Sequence, residues 1–147
     1  MHPLVEMFWN MADSHPEKRA FYYCRKSDHR WVEKNWLEYV GDVRKLSYFL
    51  KSKGIEKSDA VALLSNNRPE WLVTDFSCVI SGLISVPLHV NASKKDQSYM
   101  IHQTEAKVLV VEKVEMLKKL KLAELEFVIC MQPKTVTEAF DFHYYYK

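Results

Sequence analysis

The most chemically suggestive residues of this sequence form a short polar loop, Asn66, Asn67 and Arg68. The loop follows an apolar run and immediately precedes Pro69, a residue type that is favoured at the first position of a helix. Because a helix N-terminus presents amide donors and partial positive charge, the loop could help to bind an anion. We favour the simpler interpretation that these polar residues cap the helix and shape a tight loop.

The cysteines and histidines have no spacing that is typical of a metal site. The three cysteines lie far apart in apolar stretches, which predicts buried, reduced thiols rather than a disulfide framework. The six histidines show no paired ligand spacing. The cysteines are Cys24, Cys78 and Cys130, and the histidines are His2, His15, His29, His89, His102 and His143.

The sequence has no glycine-rich loop of the kind that binds phosphate. Its only glycines, Gly41, Gly54 and Gly82, are isolated, so neither the dinucleotide-binding fingerprint nor the P-loop is present. The nucleophile elbow of hydrolases is also missing. We therefore predict no catalytic, no cofactor-binding and no metal-binding residue in this chain.

The basic segment at residues 113–121 has two interpretations. Its lysines and interspersed apolar residues could form a helix on a membrane surface, so peripheral membrane contact stays open. We favour an amphipathic helix over residues 114–122 that packs on a sheet. The net charge of +2 gives no indication of nucleic-acid binding, and no apolar run is long enough to predict a transmembrane segment.

The first third of the chain predicts a helix, a hairpin and a second helix. Apolar residues recur at helical spacing over residues 4–12, and two strand-forming runs follow at 20–25 and 30–34. Asn35 and Glu38 then form an Asn variant of the capping box. We expect Trp36, the first residue after this cap, to anchor the unit.

The rest of the chain alternates between apolar strands and helices. Strands are predicted at residues 60–64, 83–88, 108–111 and 127–131, with helices between them. The short connections indicate right-handed βαβ units. We predict an α/β fold with a mostly parallel sheet and helices on both faces, plus the N-terminal hairpin and helix unit.

We divide the sequence into residues 1–56, the helix, hairpin and capped-helix unit, and residues 57–147, the parallel-sheet subdomain. We expect the two to form a fragment of one larger domain. The aromatic segment at residues 140–146 predicts a surface that docks on the core or is covered by further chain or by a partner.

Five segments resemble conserved blocks of the AMP-binding, adenylate-forming superfamily. Residues 35–39 resemble its Thr-Trp-x-Glu-Tyr helix start, with Asn35 in place of Thr. Residues 54–62 resemble Gly-Ile-x-x-Gly-Asp-x-Val-Ala, with Ser58 where glycine is common. The remaining three blocks are residues 67–71, 82–88 and 105–111. The block at 67–71 is similar to the version in long-chain fatty acyl-CoA synthetases.

This resemblance implies the N-terminal part of an ATP-dependent fatty acid–CoA ligase, which forms an acyl-adenylate and then a thioester. It implies ATP, Mg²⁺ and CoA for the complete enzyme and none of them in this chain. The family's phosphate loop and lid motifs do not occur here, so we expect the chain to be inactive alone.

The remainder of the enzyme is one expected partner, and a second copy of the chain is the other. The alternative function is a stand-alone α/β interaction or regulatory module, derived from such an enzyme and dimeric. We expect a cytoplasmic location, with membrane association left open.

Overall fold

A computed structural model describes residues 3–25, 28–132 and 142–143 of the chain. The helices are α1 (Pro3–Ser14), α2 (Trp36–Ser52), α3 (Pro69–Ser81) and α4 (Lys94–Gln103), with a 3₁₀ helix at Val114–Leu117. The strands are β1 (Arg19–Arg25), β2 (Arg30–Asn35), β3 (Ala60–Leu64), β4 (Ile84–Pro87), β5 (Val108–Lys113), β6 (Phe127–Gln132) and β7 (Phe142–His143).

The strands form two sheets. Strands β1 and β2 make an antiparallel hairpin, and the others form a parallel sheet in the order β4-β3-β5-β6-β7. Every residue of β3 is buried, as expected for a continuous apolar run between two layers of helices. The predicted fold class is confirmed.

Helices cover both faces of the parallel sheet. Alternate side chains along β3 enter different cores, since successive residues of a strand point to opposite faces. Val61 and Leu63 pack in a core that includes residues of α1, α2 and α3. Ala62 and Leu64 pack in a second core that includes Ile101 of α4.

Helix α2 begins as the sequence predicts. The Asn35 side chain accepts a hydrogen bond from the Glu38 amide at 2.8 Å, and Glu38 Oε2 accepts one from the Asn35 amide at 3.0 Å. This reciprocal capping box satisfies two amides that a helix start leaves unpaired. Gly54, just beyond the end of the helix, adopts a φ of 82°.

The anchor of the N-terminal unit is Phe8 rather than Trp36. Phe8 on α1 is 2% exposed. The centroid of its ring lies 5.9 Å from the ring centroid of Trp36, 5.4 Å from that of Tyr39 and 4.7 Å from that of Phe76. Trp36 is only partly buried at the edge of this cluster. The aromatic contacts of Phe8 therefore join α1, α2 and α3.

Two further expectations are wrong. The predicted helix over residues 114–122 ends at Leu117, after one 3₁₀ turn. Leu117 and Leu122 are both buried in the second core, and a five-residue spacing does not place two side chains on one helix face. Lys119 accordingly adopts a φ of 65°. Cys24 is exposed on the hairpin instead of buried.

Candidate functional site

The candidate site lies where the parallel strands end at their carboxyl edge. Open α/β sheets commonly bind ligands at this edge. The loop after β3 carries Asn66, Asn67 and Arg68, and Glu112 stands near the end of β5, the neighbouring strand. Register pairing of Leu64 with Val111 brings these two strand ends together.

Glu112 is fully buried, and Asn66 holds one of its oxygens. The Asn66 backbone amide and side-chain Nδ2 both donate to Glu112 Oε2, each at 2.9 Å. A buried carboxylate is tolerated only when hydrogen bonds or opposite charges compensate for its lost hydration. These two bonds tie the loop after β3 to the end of β5.

Arg68 lies between two carboxylates. Its Nε and Nη2 donate to the two oxygens of Glu70 at 2.7 and 3.0 Å, the fork geometry that makes arginine–carboxylate pairs strong. Its Nη1 lies 3.8 Å from Glu112 Oε1. The guanidinium thus links the first turn of α3 to the end of β5.

This geometry decides between the two interpretations of the loop. Its polar residues shape the loop, in agreement with the simpler interpretation, through the bonds from Asn66 to Glu112. The capping part of that interpretation is wrong, since Arg68 occupies the N-cap position without a side-chain cap bond. Two flanking carboxylates also neutralise Arg68, so the arrangement does not favour a free anion.

A groove of about 980 Å³ opens beside this loop, between the hairpin and the start of α3. Much of its lining is aromatic, with Phe21, Tyr23 and Trp31 from the hairpin and Trp71 from α3. Gln132, the last residue of β6, also lines it. The groove therefore lies at the same edge of the sheet as the loop.

The two buried cysteines belong to the hydrophobic cores, Cys78 to the first and Cys130 to the second. Burial raises the pKa of the Cys78 thiol to about 12, and burial also raises the pKa of Cys130. Cys130 Sγ lies 3.8 Å from the Glu112 carbonyl oxygen. Across the described residues, no group of three or more histidine, cysteine or acidic side chains is placed to hold a metal ion.

Sequence reasoning did not identify Glu112 or Glu70 as part of the site. One signal was available for Glu112, because it directly follows the apolar run of residues 108–111 at the carboxyl end of a predicted parallel strand. Its partner Asn66 lies 46 residues earlier. Only the pairing of β3 with β5 brings the two together.

The sheet order, the helices on both faces and the polar loop at the carboxyl edge define an open α/β domain. A model of the family described as AMP-binding enzyme matches residues 8–142. The chain belongs to this family.

Its curated relatives include enzymes that are named as CoA ligases. A long-chain-fatty-acid–CoA ligase of Rattus norvegicus, ACSBG1, is 27% identical over 115 residues, which are 78% of this chain and 16% of that protein. A 2-succinylbenzoate–CoA ligase of Bacillus licheniformis is 32% identical over 88 residues, covering 60% of this chain and 18% of that enzyme. The chain thus spans less than a fifth of the length of these relatives.

Solved structures of ligases share the fold. A putative long-chain-fatty-acid CoA ligase from Rhodopseudomonas palustris has a TM-score of 0.80 at 16% identity, covering 97% of this chain and 35% of that one. The coronafacic acid ligase of Pectobacterium brasiliense has a TM-score of 0.79 at 19% identity, covering 95% of this chain and 28% of that one. The fold matches the N-terminal part of adenylate-forming enzymes. Within the described residues, no helix is both long and apolar enough to cross a bilayer.

Proposed function

We propose that this chain forms the opening part of an ATP-dependent long-chain fatty acid–CoA ligase. Such a ligase would activate a fatty acid as an acyl-adenylate and then transfer the acyl group to the thiol of CoA. The observation that carries the proposal is the match over 78% of the chain to a relative named as a long-chain-fatty-acid–CoA ligase. The parallel sheet and its helices agree with that assignment.

The role proposed for the chain within the enzyme is that of a scaffold. The polar residues at the carboxyl edge do not fit an ATP-phosphate site, because Arg68 is already forked to Glu70 and approached by Glu112. Phosphate oxygens would meet two carboxylates there, and like charges repel. We therefore infer that ATP, Mg²⁺ and CoA would bind to other parts of the complete enzyme, and that this chain alone does not catalyse the reaction.

The partner proposed for the chain is the remainder of the enzyme, and the outer edge of β6 supports this. Strand β6 is buried on both faces like an interior strand. Strand β7 pairs with Val128 and Ile129, and among the described residues no strand pairs with Cys130–Gln132 on that side. Strand edges without a pairing partner attract further strands, and we propose that more of the enzyme pairs here.

The experiment is to sequence the coding region beyond codon 147 and to assay the full product for palmitoyl-CoA formation. The proposal expects a Ser/Thr/Gly-rich phosphate loop downstream and ATP-dependent thioester formation by the longer protein. A stop codon at that point, with a dimer in light scattering, would instead favour the alternative of a stand-alone module whose second copy covers β6.

A further inference from the structure

The tip of the β1–β2 hairpin carries more positive than negative side chains. We define the hairpin tip as Arg25, Asp28, His29, Arg30 and Trp31. Arg25 and Arg30 lie directly opposite each other in the strand register, and like charges in that position destabilise a hairpin.

One nearby acidic group, Asp28, offsets part of this charge. Asp28 accepts a forked pair of hydrogen bonds from Arg25, at 3.0 and 2.6 Å, and lies 4.0 Å from Arg30 Nε. Glu33 is paired with Arg19 at 3.1 Å, further along the hairpin. Asp28 is therefore the acidic neighbour of both Arg25 and Arg30. The Arg30 side chain is 79% exposed.

The hairpin tip also presents a large aromatic side chain to solvent. Trp31 is 74% exposed although it is among the largest apolar residues of the chain. It faces Cys24 across the strand pair, and small exposed Cys24 leaves the indole uncovered. The indole has an apolar body and one N–H donor, so it suits a boundary between water and an apolar phase.

We propose that the hairpin tip docks on a membrane surface that contains anionic lipids. Exposed arginines next to a bilayer are attracted by anionic headgroups, and tryptophan is enriched at the level of the headgroups. Nucleic acid fits the hairpin tip less well, because single strands bind along a row of stacked aromatic residues in a basic groove. The hairpin tip offers one such ring. This inference is independent of the ligase reaction proposed above.

Vesicle co-sedimentation tests the proposal with the whole chain. Vesicles of phosphatidylcholine with phosphatidylglycerol are compared with pure phosphatidylcholine vesicles at low and high salt. We expect binding only to the anionic vesicles, weakened by salt. Arg30→Ala should weaken it about fivefold, since one basic residue near an anionic surface contributes roughly 1 kcal/mol, and Trp31→Ala should weaken it by a similar factor.

The matched control is Tyr48→Ala, which removes another aromatic side chain of similar exposure, 77%, from α2. Circular dichroism checks that each variant is folded. The proposal stands if Trp31→Ala and Arg30→Ala lose binding while Tyr48→Ala keeps it. It is overturned if the unmodified chain does not bind anionic vesicles or if all three variants bind them equally well. It is also overturned if single-stranded RNA competes with the vesicles and Arg30→Ala and Trp31→Ala weaken RNA binding as well.

Discussion

Asn66 holds Glu112 with two hydrogen bonds to one oxygen, from its backbone amide and from its side chain, each 2.9 Å long. This contact joins the ends of two neighbouring parallel strands, β3 and β5. It also fixes the loop that leads into α3, the helix whose first turn pairs with Arg68. One buried carboxylate thus contacts both the loop after β3 and, through Arg68, the start of α3.

Glu112→Ala should lower the free energy of unfolding by about 3 kcal/mol. The change leaves the Asn66 donors without their buried acceptor and takes one carboxylate from Arg68. Urea denaturation followed by circular dichroism measures the loss. Glu115→Ala is the matched control, since Glu115 is exposed just beyond the same strand and should change stability by less than about 0.5 kcal/mol. Equal effects of the two changes would rule out the proposed importance of the buried contact.

Phe8→Ala should cost about 3–5 kcal/mol, as expected for removing a buried aromatic side chain from a packed core. Phe8 contacts rings from α2 and α3, so the loss would affect the packing of three helices. Thermal unfolding measures the effect. Trp36→Ala should cost less, because Trp36 is only partly buried. A larger loss for Trp36→Ala would restore Trp36 as the anchor.

Ser58→Gly should stabilise the chain by up to about 1 kcal/mol. Ser58 has a φ of 73°, and a left-handed conformation costs a residue with a Cβ about 1–2 kcal/mol. The greater freedom of glycine in the unfolded chain cancels part of that gain. The melting temperature is the readout. Gly82→Ala should act in the opposite direction, since its φ is 69° and its new Cβ would lie 3.2 Å from Lys57 Cγ. A lower melting temperature for Ser58→Gly would contradict this account.

Cys24 should be the readily modified thiol in the native protein. It is exposed on the hairpin, whereas Cys78 and Cys130 are buried and have raised pKa values. Because the thiolate is the reactive form, Ellman's reagent should titrate about one thiol per native chain and three in urea. Cys24→Ser should remove the native signal. Rapid native reaction of two or three thiols would show that the buried cysteines are accessible.

Cys78 should make stability fall at high pH. Burial raises its folded pKa to about 12 from an ordinary value of 9.0. The unfolded chain therefore releases this proton first, so Cys78 leaves the free energy of unfolding unchanged below about pH 9 and lowers it as pH rises from there. Urea midpoints at increasing pH measure the decline. Cys78→Ala should be less stable at neutral pH because it leaves a small cavity, but its decline with pH should be shallower. If the urea midpoints of the unmodified chain and of Cys78→Ala fall equally with pH, Cys78 is not the cause.

Strands β1 to β6 were predictable because each is specified by its own residues. Residues 60–64 and 108–111 are continuous apolar runs, and such runs predict strands between two helical layers. Asn35 with Glu38 likewise predicted the start of α2 from a spacing of three residues. These signals are local, so they can be recognised without knowledge of the rest of the chain.

The features that sequence reasoning missed depend on distant partners. Glu112 becomes a site residue only when β5 pairs with β3, and Cys24 is exposed because its face of the hairpin is uncovered. The helix predicted at residues 114–122 failed because Leu122 packs into the second core at a spacing that a helix cannot provide. In each case tertiary packing decided the outcome.

The most direct test of the central proposal is ATP–pyrophosphate exchange by the isolated chain with Mg²⁺ and a long-chain fatty acid. The chain is proposed to be the scaffold of a ligase without its catalytic residues, so exchange should not exceed the level without protein. Exchange above that level, dependent on the fatty acid and retained after repurification, would contradict the account.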